Sequence, residues 1–204
     1  KSRKQMKYES DTIRWKNIVK DTNEQVPTVK RDKDDAAVLI YSGGTTGKSK
    51  GIVLSNLCFN ALATQCFDVC PEARPGASML SGLPIFHGFG LCVAVHAPLM
   101  LGMKCILLPK IDVKKLNETI KKTKPTIVPA VPTMLKAITN NKNLGPDSFS
   151  SVKVILSGGD YLSDDLRARV LDYFRSCGSS THIRIGYGLS EATAFFTATQ
   201  YGAE

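Results

Sequence analysis

Short apolar runs recur along the chain at steady intervals, and this rhythm limits the fold more than any single residue does. "AAVLIY" (36–41), "GIVL" (51–54), "SMLSGLPIF" (78–86), "KCILLP" (104–109), "PTIVPAV" (125–131), "VKVILS" (152–157), "HIRIG" (182–186) and "AFFTATQ" (194–200) read as strands. Helical spacing fills most of the intervals. Ser55 is placed to cap a helix reaching about Phe67, with Leu57, Ala61 and Leu62 on one face. "GLCVAVHAPLML" reads as a second helix. Asp112 is placed to cap a third, with Val113, Leu116 and Ile120 inward, and "TMLKAIT" forms a short fourth. After Ser163, residues Leu162, Leu166, Val170 and Phe174 fall on one side of a fifth. Strand–helix alternation predicts an α/β fold: a layered, mixed or mostly parallel β-sheet flanked by helices, with ligands at strand C-terminal ends. Residues 1–35 form a polar, charge-rich approach segment, and the folded body runs from 36 to 204.

A chain of 204 residues that is 43% hydrophobic and 22% charged can bury a core of its own. The net charge is +9, part of it from Lys1, Arg3, Lys4 and Lys7 at the start. No basic stripe is interleaved with aromatics, so nucleic acid is not an expected partner; small anions suit the charge equally well. The six cysteines include no Cys-x-x-Cys and several sit in apolar runs, the pattern of reduced thiols in a cytoplasmic protein. Cys66 and Cys70 share a helix face, yet with three histidines in the whole chain they read as core rather than as metal ligands. The most apolar window, "GFGLCVAVHAPLMLGM", is too short for a membrane span and contains His96 and Pro98. No signal peptide is expected, and the abrupt ends read as those of a piece of something longer. Nothing in the sequence speaks to the oligomeric state.

The stretch "YSGGTTGKSKG", Tyr41 to Gly51, can cradle phosphates on backbone N–H groups. It is not a good nucleoside-triphosphatase loop. The first glycine of that pattern falls on Ser42, and "GIVL" continues as strand where a helix should begin. A plain glycine hairpin is the bland alternative. Adjacent Thr45 and Thr46 together with Lys50 add hydroxyl donors and a cation, which a polyphosphate requires.

With three further stretches, the loop resembles the signatures of the AMP-forming acyl-CoA synthetase superfamily, also called adenylate-forming ligases. "LPIFHGFG" (83–90), "LSGGDYL" (156–162) and "GYGLSEAT" (186–193) follow it in the family's order, with "TKPTIVPAVPTML" between them. The chain is most similar to fatty acid–CoA ligases, and the likeness runs from about Ala36 to the end. It implies part of the large N-terminal domain of such an enzyme. It also implies the family's reaction: ATP activates a small-molecule carboxylate to an acyl adenylate, and coenzyme A takes the acyl group.

The roles that follow are those the resemblance implies. Ser42, Gly43, Gly44, Thr45, Thr46, Gly47 and Lys50 would face the β- and γ-phosphates, in a loop that moves during the cycle. Glu191 would ligate Mg²⁺, and Tyr187, within Gly186–Gly188, would stack on adenine. Ser190 would keep the hydroxyl for the α-phosphate. His87 would position the carboxylate, while Gly158 and Gly159 wall the acyl pocket off from adenine beside Asp160. Ser49 replaces the usual proline, Asp160–Tyr161 replace Ala-Pro, and Ile185 stands where many members carry Gln. The family's ribose-binding Asp, its hinge and its late catalytic Lys come after the last residue here, so the chain alone is not expected to turn over. An amino-acid adenylation domain of a peptide synthetase, a non-catalytic nucleotide-binding module and a P-loop NTPase are the competing readings.

Overall fold

A computed structural model of the chain describes residues 17, 28–42, 49–109, 111–112, 115–140, 145 and 147–199. The fold divides between Arg31 and Asp32, and the elements below belong to the unit Asp32–Glu204. Most of the 1–35 segment lies outside the described residues, and Thr28–Arg31 are exposed.

The first two strands form their own ladder. β1 (Ala36–Ser42) pairs antiparallel with β2 (Lys50–Ser55) in the register Leu39↔Val53 and Ser42↔Lys50. Side chains alternate across it, so Ile40 and Leu54 are buried while Leu39, Tyr41 and Val53 face out. A strand beginning at Lys50 leaves no helix to receive phosphates there, which removes the nucleoside-triphosphatase reading. The helix waits for Ser55, whose Oγ accepts the N–H of Cys58 and caps α1 (Asn56–Val69). The buried face of α1 is Leu62, Ala63 and Cys66, with Phe59 against it. Leu57, expected inward, is exposed, because the hairpin and its neighbours cover the face that starts at Phe59.

Six strands make the central sheet: β3 (Ser78–Ser81), β4 (Lys104–Leu107), β5 (Ile127–Ala130), β6 (Val154–Ser157), β7 (His182–Tyr187) and β8 (Thr197–Ala198). Their order is β4-β3-β5-β6-β7-β8, parallel throughout except for β8. Strands β3 to β6 and β8 are shorter than the apolar runs predict, β3 and β8 most of all. The chain leaves the sheet at Gly82, in a segment with Pro84 that the ladder does not hold, and "AFFTATQ" contributes only Thr197–Ala198.

Helices cover both faces. α3 (Leu116–Thr123), α4 (Pro132–Thr139) and α5 (Asp164–Ser176) pack over Leu80, Val128, Ile155 and Ile183, with the rings of Phe149 and Phe174 stacked at 4.3 Å. α3 begins after Lys115 rather than at Asp112, and Val113 lies outside the described residues. Ser163 caps α5 by accepting the N–H of Leu166, and the predicted stripe of Leu162, Leu166, Val170 and Phe174 is buried. The opposite face is covered by α2, which is π-helical over Phe89–His96 and α-helical over Ala97–Met100. Its Ala94 sits against Met79, Ile127 and Val154, and α1 packs outside it against the hairpin. Full burial of each such strand residue stabilises by about 1.5–3 kcal/mol. A π-helical stretch is rare and concentrates at functional sites. Here Ser81 Oγ donates to the Ala94 carbonyl, and Cys105 Sγ reaches the same oxygen at 3.6 Å.

Candidate active site

Parallel pairing puts the C-terminal ends of β3, β6 and β7 on one edge of the sheet, and a motif loop leaves each of them. β3 leads through Leu83 to His87, β6 into Gly158–Asp160, and β7 ends at Tyr187 before Gly188. Missing side chains let the loops interlock around Ala194. A methyl group on Gly88 would lie 2.6 Å from Ala194 Cβ, and one on Gly188 would run into the Ala194 carbonyl. Gly158 likewise faces the carbonyl of Gly186 at 3.0 Å and the Phe89 ring at 3.6 Å, counted from the Cβ it lacks. Gly159 has φ +82°, a left-handed turn that favours glycine.

Below these loops lies a cavity of about 650 Å³. Val69, Met79, Val93, Ala97, Leu101 and Leu156 give it an apolar wall between the sheet and α1–α2. His87, Gly158, Gly159, Asp160, Gly186, Tyr187 and Gly188, all singled out from the sequence, line the same cavity. His87 is exposed, and its Nδ1 accepts the N–H of Phe89 at 3.1 Å, which leaves Nε2 to carry the proton of the neutral ring. Asp160 Oδ1 accepts the N–H of Tyr161 at 2.8 Å. Cys66 and Cys70 also line the cavity. Burial pushes both thiols up to about 12, so they are neutral and behave as wall rather than as nucleophiles.

Sequence reasoning missed one group. Arg184 lines the cavity from the middle of β7 with its side chain 6% exposed, paired to Glu72 at 3.4 Å. Glu72 Oε2 also accepts Cys70 Sγ–H at 3.5 Å. The only sequence signal was one charged residue between Ile183 and Ile185; its partner stands 112 residues away in a loop with no pattern.

The remaining candidates gather at the hairpin. The 3₁₀ turn Ser190–Ala192 packs against β1 and β2, bringing Glu191 toward the strand pair that Ser42 and Lys50 close. Lys50 and Glu191 are exposed, Ser42 and Ser190 half-buried. Gly43, Gly44, Thr45, Thr46 and Gly47 lie outside the described residues, as does any loop motion assigned to them. After the turn, Thr193 (φ 57°) and Ala194 (φ 78°) are both left-handed, a conformation costing roughly 1–3 kcal/mol per non-glycine residue. The Ala194 N–H holds them by bonding the Leu189 carbonyl at 2.8 Å. Among the described residues no group of three or more His, Cys, Asp or Glu is placed to hold a metal by itself. All six cysteines are free thiols, and no described helix is long and apolar enough to cross a membrane. The edge thus offers a flat aromatic face at Tyr187, a carboxylate and a lysine toward the hairpin, and an apolar cavity running inward.

A family model described as AMP-binding enzyme matches residues 2–204. The chain is 34% identical over 200 residues to 4-coumarate–CoA ligase-like 6 of Arabidopsis thaliana, covering 93% of this chain and 35% of that protein. It is 34% identical over 160 residues to a long-chain-fatty-acid–CoA ligase of Bacillus subtilis, covering 78% and 28%. Among solved structures, ATP-bound MatB from Rhodopseudomonas palustris superposes with a TM-score of 0.77 at 26% identity, over 88% of this chain and 34% of that one. The chain spans about a third of the length of these proteins.

Proposed function

Because the chain belongs to the AMP-binding enzyme family, we propose that the protein carrying it activates a carboxylic acid of largely apolar body, such as a fatty acid, with ATP, and hands the acyl group to coenzyme A. One observation carries this reading: Tyr187 and His87, both exposed, line one apolar cavity, on the edge where the loops of β3, β6 and β7 converge. An acid entering that cavity tail-first keeps its carboxylate at the mouth. The Nε2–H of His87 orients that carboxylate as a hydrogen-bond donor; no base is needed, since a carboxylate is already the nucleophile. Tyr187 gives a flat face for adenine, and the glycines at 158 and 159 let the two ligands approach with no side chain between them.

Nucleotide and acid are both anionic, so the site must offset charge. Lys50 would stand toward the outer phosphates from the end of the hairpin, with Ser42 and the glycine–threonine loop as donors. Mg²⁺ fits the donor set, for this ion takes one or two carboxylates and completes its shell with water and phosphate oxygens; Glu191 is such a carboxylate. When bound, the ion neutralises phosphate charge. Lys50→Ala and Glu191→Ala in the complete protein should each slow ATP–pyrophosphate exchange by about a hundredfold, the cost of removing one preorganised electrostatic contact. Exchange at the native rate in both variants would overturn the reading. Asp160 and Asp164 on the cavity wall favour a second substrate class, amino acids held by their ammonium group; exchange supported by amino acids and not by fatty acids would select it.

A further inference from the structure

Resting on the acid-activating reading, we infer that Ser81, with Cys105 beside it, is a positioning residue that sets the acyl length the cavity accepts. Neither side chain lines the cavity. Both act through the main chain of α2, at the Ala94 carbonyl. A proline creates the need for them. Residue 98 of α2 is Pro98, which carries no backbone N–H. The π ladder runs as far as the Ala97 N–H, which donates to the Cys92 carbonyl. The next π partner, for Val93, falls on Pro98, and so does the α partner for Ala94. Where the two windings meet, the helix therefore lacks the N–H that α geometry aims at the Ala94 carbonyl. Ala94 is 0% exposed, so bulk water does not reach it, and a buried carbonyl has to be paired.

Two strands supply what the proline withholds. Ser81, 4% exposed at the end of β3, donates its Oγ–H to that carbonyl. Cys105 Sγ, on the adjoining β4, lies 3.6 Å from the same oxygen and 3.1 Å from Ser81 Oγ, so hydroxyl and thiol converge on one point. That point lies within the stretch of chain that forms the cavity wall. Val93 precedes Ala94, and Ala97, Pro98 and Leu101 follow it; all four line the cavity. The Ala94 side chain meanwhile sits on Met79, Ile127 and Val154 of the sheet. With its carbonyl tied to β3 and β4, the height and rotation of the four wall residues over the sheet are set, and with them the depth left for an alkyl tail.

The test uses the complete protein with hexanoic, octanoic, decanoic, dodecanoic and hexadecanoic acids, measuring kcat/KM by pyrophosphate release. Ser81→Ala strands the buried carbonyl, and the wall moves to recover a donor. The kcat/KM ratio between the best acid and the next longer one should change by about fivefold or more, the worth of one buried hydrogen bond, while the KM for ATP keeps its native value. Ser81→Cys, which retains a donor in nearly the same volume, should stay closer to the native ratio. Where Ser81→Ala does not fold, Cys105→Ala takes its place and should move the ratio in the same direction. The role of the proline is read from Tm: the loss caused by Ser81→Ala should be smaller in a Pro98→Ala background, where residue 98 has an N–H to offer. A variant that melts lower yet keeps the native ratio marks a purely structural serine and overturns the assignment. An equal Tm loss with and without Pro98 overturns the account of what Ser81 replaces. Absence of pyrophosphate from the native protein with every acid overturns the acid-activating reading, and the acyl-length assignment with it.

Discussion

Gly88→Ala is a substitution whose cost can be worked out in advance. Gly88 has φ −54° and ψ −41°, ordinary helical values, so the backbone accepts alanine and would gain about 0.4–1 kcal/mol from a less flexible unfolded chain. Against this stands one contact, the new methyl 2.6 Å from Ala194 Cβ. Overpacking of that kind costs about 1–3 kcal/mol, which leaves a net loss of about 1–2 kcal/mol. In a chain of this size that lowers Tm by about 2–8 °C, readable by circular dichroism. The partner substitution makes the argument sharp. Ala194→Gly removes the offending methyl, after which the nearest atoms are Ala194 Cα at 3.4 Å and N at 3.7 Å, and it also relieves a φ of 78°. Gly88→Ala/Ala194→Gly should therefore melt at or above the native temperature. Gly188→Ala should not be rescued by Ala194→Gly, because its methyl meets the carbonyl oxygen and carbon of residue 194 and the Phe195 nitrogen at 2.9 Å, all backbone. A Gly88→Ala chain that melts like the native one, or an Ala194→Gly change that rescues Gly188→Ala instead, would refute the interlocking of the loops.

Two other outcomes follow from the cavity wall and the buried thiols. Ala97→Leu should shorten the acyl chain accepted by the complete protein while leaving the KM for ATP in place, because Ala97 is 1% exposed and lines the cavity from α2 rather than from the motif loops; a chain-length profile of pyrophosphate release checks it. This is a cleaner probe than Gly159→Leu, where the left-handed φ adds backbone strain to any effect of bulk. Burial raises Cys66 and Cys70 to about 12 and Cys92 to about 11 from an ordinary 9.0. Their stabilising effect is thus complete below about pH 9, where folded and unfolded thiols are both protonated, and is lost as pH climbs toward 12 and only the unfolded chain ionises. Urea midpoints should fall from pH 8 to 10.5, and at neutral pH a thiol reagent should label exposed Cys58 well before the buried Cys66, Cys70, Cys92 and Cys177.

The parts of this fold legible in the sequence are those governed by near neighbours. Ser55 caps its helix as read, because a cap needs only a hydroxyl and an N–H three residues on. The stripe on α5 is likewise a local matter of spacing, and four ordered motifs led to the family and to seven of the cavity-lining residues. What escaped depends on partners far along the chain. Leu57 looked buried by pattern, yet the hairpin covers a different face of α1. The π-helical winding of α2 has no composition signal; the carbonyl of Ala94 is held by side chains from β3 and β4. The Arg184–Glu72 pair joins a strand to a loop across 112 residues, so neither residue announced the other.

The π-helical winding of α2 also gives the cavity wall slack in chain length. A π turn carries an extra residue relative to an α turn, and Phe89–His96 uses that surplus before the α-helical turn begins at Ala97. Deleting one residue from an α-helical stretch rotates everything after it by about 100°, but a deletion inside Phe89–His96 removes the surplus and lets the segment relax to α geometry, so most of that rotation is absorbed. Ala97, Pro98 and Leu101 would then keep nearly their present bearing on the cavity, as would the loops carrying His87, Gly158 and Tyr187. A one-residue deletion is therefore better tolerated in α2 than in α1 or α5, whose α winding has no residue to spare.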